Sequence, residues 1–185
     1  SKGYGAAADQ FAEVAVQLGK TAGAGRAAYR KAVRRLEQML REFKTIGAHT
    51  LAELEKTDRT AVVLFGRAYN SFAREANLGI PQKLASRGIT VIPHDFLPAE
   101  QQRSYPHMYW GVGAQLLRGA RFVAGHDRLY GVYVTNFSCG PDSFLLSYFR
   151  TIMGNQPSLT LELDSHSADA GINTRIDAAL DIFTS

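Results

Sequence analysis

Hydrophobic positions along this chain follow two different periods. Tyr29, Val33, Leu36, Leu40 and Phe43 recur at alternating spacings of four and three, which puts them on one helical face. Arg30, Arg34, Arg41 and Lys44 lie largely off that face. A shorter helix is expected over 9–18, with Gly23 and Gly25 breaking it from the longer one. Gly47 and His49 mark an expected pause before a last helical stretch over 51–56. Beyond Thr60 the pattern changes. Ala61-Val62-Val63-Leu64-Phe65 is a continuous apolar run ending at Gly66, as expected of a strand buried on both faces.

Similar punctuation sets out the remainder. Pro81 sits where a first-turn proline opens a short helix through Ser86, and Gly88 ends it. A second strand is read over 89–92, stopped by Pro93. After a loop bracketed by Pro98 and Pro106, a helix is read from Met108 to Gly119 or beyond. A third strand over 131–136 leads through a turn into a helix over 142–153. A fourth strand, 158–163, precedes a closing helix over 168–183. Four strands alternating with helices imply an α/β fold with a parallel, right-handed, three-layer sheet. The expected division is a helical segment, 1–57, followed by the sheet-bearing lobe, 58–185.

Composition narrows the functional classes. The 185 residues are 45% hydrophobic and 21% charged, as in an ordinary globular domain. No apolar run approaches the roughly 20 residues that span a bilayer, so no membrane partner is expected. The formal charge of +4 is uneven: residues 1–60 hold eleven Lys/Arg against seven Asp/Glu, and residues 61–185 hold ten of each. The excess sits on one predicted helix rather than over a face with interleaved aromatics, which argues against nucleic acid. A single cysteine excludes an intramolecular disulfide and a four-cysteine metal site within this chain. A reducing, cytoplasmic setting is expected. Gly23-Ala24-Gly25 follows no strand and no Walker A sequence occurs, so no nucleotide site is read here.

In open parallel sheets ligands bind at the carboxyl ends of the strands. Four loops should meet there: Gly66-Arg67-Ala68-Tyr69-Asn70, His94-Asp95-Phe96, Phe137-Ser138-Cys139-Gly140-Pro141-Asp142-Ser143 and Asp164-Ser165-His166-Ser167. In the third, Gly140-Pro141 turns the chain into a helix just after Cys139, so free amides and the positive helix end sit beside the sulfur. That setting favours thiolate, which an iron–sulfur cluster, another metal or a nucleophilic reaction requires. A small buried hydrophobe is the alternative role for Cys139. Asp164 and His166 could bind a metal, act as an acid–base pair or simply cap a helix. A hydrolase using Cys139 and His166 would need sulfur and imidazole within hydrogen-bond reach. Arg67, with Tyr69 and Asn70 close by, could hold a phosphate or carboxylate, or pair with an acidic loop.

Several of these stretches resemble a known family. They are Leu64-Phe65-Gly66-Arg67-Ala68-Tyr69-Asn70, Asn77-Leu78-Gly79-Ile80-Pro81, the block from Thr135 through Cys139 to Ser143, and the block from Leu161 through Asp164 and His166 to Gly171. Together they are similar to the large CoA-substrate-specific enzyme activase proteins, in a region like the subunits of 2-hydroxyacyl-CoA dehydratase and benzoyl-CoA reductase. The resemblance spans about residues 60–185; no motif is read in 1–55. It implies Rossmann-like lobes with an iron–sulfur cluster, [4Fe–4S] or double-cubane, held between them. Cys139 would be a cluster ligand, with Asp142 and Ser143 beside it and Asp164 and His166 further out. It also implies a remaining lobe supplying further cysteines and an ATP-dependent activase that delivers low-potential electrons. The lobe would not be catalytic alone, and a homodimer is possible. The other reading is a regulatory lobe without chemistry, docking on an activase or dehydratase through the basic helix.

Overall fold

The computed structural model describes residues 4–103 and 105–184. It divides into two compact units, residues 1–45 and 46–185, and the boundary falls inside one long helix.

In the first unit a 3-10 turn, Tyr4–Ala7, leads into α1, Ala8–Gln17, and then into α2, which begins at Ala22 and runs to Glu55 in the second unit. The break between α1 and α2 comes earlier than the sequence suggests. Gly19, at φ 71°, takes the left-handed conformation that closes a helix, and Thr21 Oγ1 accepts from the Ala24 amide to open the next. Gly23 and Gly25 therefore lie inside α2. Gly25 serves close packing instead: a Cβ there would meet Phe11, Ala12 and Ala15 of α1. Phe11 stacks on Tyr29 at 4.5 Å, and Asp9 pairs with Arg26 at 2.8 Å.

The second unit is an α/β sandwich. Its sheet is β1 (Ala61–Phe65), β2 (Thr90–Pro93), β3 (Leu129–Asn136) and β4 (Ser158–Leu163), parallel throughout, in the order β2-β1-β3-β4. Between the strands lie α3 (Ala68–Ser71), α4 (Ile80–Ala85), a 3-10 turn (His94–Phe96), α5 (Gly111–Ala124) and α6 (Gly140–Met153); α7 (Asp169–Phe183) closes the chain. Strand alternation sorts the core into two clusters. Ala61, Val63, Phe65 and Tyr133 pack with Leu51 and Leu54 of α2 and with α5 and α6. Val62, Leu64, Val132, Val134 and Leu161 pack with α4 and α7. Helices on both faces of a parallel sheet make the three-layer, Rossmann-like arrangement expected of these patterns.

One expected pause is absent. α2 continues through Gly47 because that glycine faces Phe96, whose carbonyl a Cβ would run into. The residue is small for packing, not for turning. At the sheet's edge, Arg175 Nη2 donates to the Thr160 carbonyl of β4 at 2.6 Å. Among the described residues no helix is long and apolar enough to cross a membrane.

Candidate functional site

The strand order reverses after β2: β1 has β2 on one side, and the chain then returns to add β3 on the other. The gap between the carboxyl ends of β1 and β3 is therefore the topological switch point, where open α/β sheets hold ligands. Two of the loops singled out from sequence lead away from it, the one after β1 carrying Arg67 and the one after β3 carrying Cys139.

Asp142 ties these two loops together. It is fully buried in the first turn of α6, yet its carboxylate bonds to side chains outside that helix. Oδ1 accepts from Arg67 Nε at 3.0 Å and from the Tyr133 hydroxyl at 3.4 Å, and Oδ2 accepts from Thr135 Oγ1 at 2.8 Å. A buried carboxylate needs such compensation, because leaving it unpaired costs several kcal/mol. Partial burial works against the Arg67 cation, but the hydrogen bond and charge of Asp142 outweigh it and hold the guanidinium's pKa above its ordinary value. Burial, reinforced by Asp142, pushes the Tyr133 phenol well up, so it stays a proton donor. Of the two roles open to Arg67, pairing with an acidic loop is the one observed.

Cys139 forms the N-cap of α6, with Pro141 in the first turn and the side chain half-buried. Its amide donates to the Asn136 carbonyl at 3.1 Å, and its carbonyl accepts from the Ser143 amide and the Ser143 hydroxyl, each at 2.9 Å. Ser138 before it takes φ 60°, a left-handed conformation that costs a side-chain-bearing residue roughly 1 kcal/mol or more. At Gly140, the next residue, a Cβ would meet nothing within 4 Å. The half-buried thiol thus stands on a turn held by backbone and Ser143 hydrogen bonds.

The remaining candidates separate. Tyr69 is exposed, whereas Asn70 is fully buried, with neither amide atom hydrogen-bonded among the described residues. The loop after β4 is next to the Cys139 loop, since the Phe137 amide donates to the Leu163 carbonyl at 2.7 Å. Several of its polar groups nevertheless bond within the loop. Asp164 Oδ1 accepts from the His166 amide and the Ser167 hydroxyl, both at 2.9 Å, and His166 Nδ1 lies 3.1 Å from Ser165 Oγ. The Ser167 hydroxyl first, then the His166 amide, holds the Asp164 carboxyl below its usual range. His166 makes no hydrogen bond to Cys139, so the pairing a hydrolase would need is not formed. His94 is buried between Phe65 and Phe72, at ring distances of 6.0 and 6.1 Å.

Thr135 and Tyr133 were not singled out from sequence, because both read as strand residues. The available signal was their spacing: two apart near the carboxyl end of a buried strand, they share a face and bring two hydroxyls to the rim.

Among the described residues, no three His, Cys, Asp or Glu side chains lie close enough together to hold a metal ion. Cys139 could therefore serve a metal group only as a single ligand.

A family model described as "CoA enzyme activase uncharacterised domain" matches residues 2–97, just over half of the chain. The match takes in the N-terminal helices, in which no sequence motif is read, and the loop of Arg67 and Asn70; the Cys139 loop lies outside it. No curated protein and no solved structure matches.

Proposed function

Since the chain belongs to the CoA enzyme activase uncharacterised domain family, we propose that it serves a CoA-enzyme activation system by contributing the Cys139 thiolate to an iron–sulfur cluster shared with another protein lobe. That lobe supplies the other cysteines, and an ATP-dependent activase supplies the electrons. The observation that carries this reading is the placement of Cys139 at the N-cap of α6, half-exposed at the switch point. Such clusters are held by cysteine thiolates and transfer electrons at potentials set by their surroundings. The protein's own residues hold the ligand in place. Asp142, anchored by Arg67, Tyr133 and Thr135, fixes the first turn of the helix, and Ser143 locks the Cys139 carbonyl.

The test is iron and acid-labile sulfide in the protein purified anaerobically with its cysteine-bearing partner, compared with Cys139→Ser. Iron in the wild type that falls in the variant is the expected result. Equal iron in both removes Cys139 from the cluster. Iron absent from both leaves the second reading, a regulatory lobe that docks through α2, whose Arg30, Arg34 and Arg41 are exposed. Charge reversal at those three positions should then abolish partner binding.

A further inference from the structure

A different part of the second unit has the form of a small-molecule site. Two hollows, of about 690 and 440 Å³, lie beside α4 and share Arg74 and Gln82 in their walls, so they are two chambers of one groove. Each is within the range of small-molecule sites, roughly 300–1,000 Å³. The chambers differ in chemistry. The smaller is walled chiefly by Phe72, Pro81, Val91 and Pro93, with Leu64 behind them. The larger is polar and charged, with Lys83, Asp169 and Glu75 joining Arg74. Lys83 is committed to Asp169 at 3.2 Å. Arg74, at the junction of the chambers, has no hydrogen bond or ion pair among the described residues.

The walls are held in place. The Asn77 amide group donates to the Ser71 carbonyl at 2.8 Å and accepts from the Gly79 amide at 3.0 Å. Leu78 and Gly79, which border the larger chamber, both take positive φ, 51° and 68°. Ser71, in the wall of the smaller chamber, is fully buried, and its hydroxyl has no hydrogen-bond partner among the described residues.

We propose that this groove binds an amphipathic organic anion. The anionic head, a carboxylate, pairs with Arg74, and a short hydrocarbon body fills the chamber between Phe72, Pro81, Val91 and Pro93. A free guanidinium between an apolar and a polar chamber selects for a ligand with those two ends. A cationic or neutral ligand of the same length would leave Arg74 unpaired. Glu75, on the larger chamber's wall, opposes the anion and sets a limit on affinity. The site is separate from Cys139 and independent of the role proposed for it.

The test uses octanoate as probe, with octylammonium and octanol as controls, followed by amide chemical shifts of the protein. Octanoate should move resonances of Phe72, Arg74, Val91 and Gln82 in a saturable way, and the controls should bind at least about tenfold more weakly. Arg74→Gln should weaken octanoate about tenfold, the usual worth of a charge-assisted hydrogen bond. Glu75→Gln should tighten it. Ala85→Trp, at an exposed position lining the apolar chamber, should block octanoate while the unperturbed resonances report an intact fold. No saturable shifts with octanoate would overturn the proposal. So would equal binding of the three probes, or octanoate binding unchanged in Arg74→Gln.

Discussion

The turns after β3 and β4 look alike in sequence. Each follows a strand, carries an aspartate and serines, and leads into a helix. In the structure they use those residues in opposite ways. Asp164 is exposed and bonds to residues two and three positions on, so its turn is a self-contained local motif. Asp142 is buried and reaches Arg67, 75 residues away, together with two hydroxyls of β3. The first aspartate shapes a loop. The second joins two loops across the switch point and thereby holds the turn that carries Cys139. An aspartate's residue type does not tell the two apart; burial does.

The contrast can be broken most strongly at Asp142. Asp142→Ala leaves a partly buried guanidinium and two hydroxyls without their acceptor, and should cost roughly 2–4 kcal/mol in equilibrium denaturant unfolding. A loss near zero would mean that the network holds nothing. Thr135→Val keeps the side chain's shape and removes one donor, so about 1–2 kcal/mol is expected by the same measurement. Asp164→Asn should be the mildest of the three, and its signature is a pH dependence. The Asp164 carboxyl is depressed in the folded state. Its contribution is therefore complete above the unfolded value of about 4 and is lost as pH falls through the lower folded value. Stability measured down through that range should fall less steeply in the variant than in the wild type. If the slopes match, Asp164 is not held as described.

Much of this architecture was legible in the sequence. The apolar run Ala61–Phe65 and the alternating run Ser158–Leu163 coincide with β1 and β4, because a fully buried strand and a half-buried one each leave their own pattern. Glycines were harder to read. Gly23, Gly25 and Gly47 suggested breaks, yet all three lie within α2, and Gly25 and Gly47 are small because another chain segment passes close by. A close approach of that kind has no local signature. The site was legible as a set of loops but not as a set of bonds. Arg67 and Asp142 were both named, while their pairing depends on β1 and β3 becoming neighbours, which strand order decides and sequence spacing does not.

The bond from Arg175 to the Thr160 carbonyl has a consequence for how copies of this protein meet. β4 is an outer strand, and the row of polar backbone groups on such a strand can recruit an extended segment from another molecule. Here one acceptor is already taken by a guanidinium from α7, and Glu162 adds an exposed charge on the same strand. Both features make the strand a poor template for self-association. They guard the chain against aggregation along this edge of the sheet.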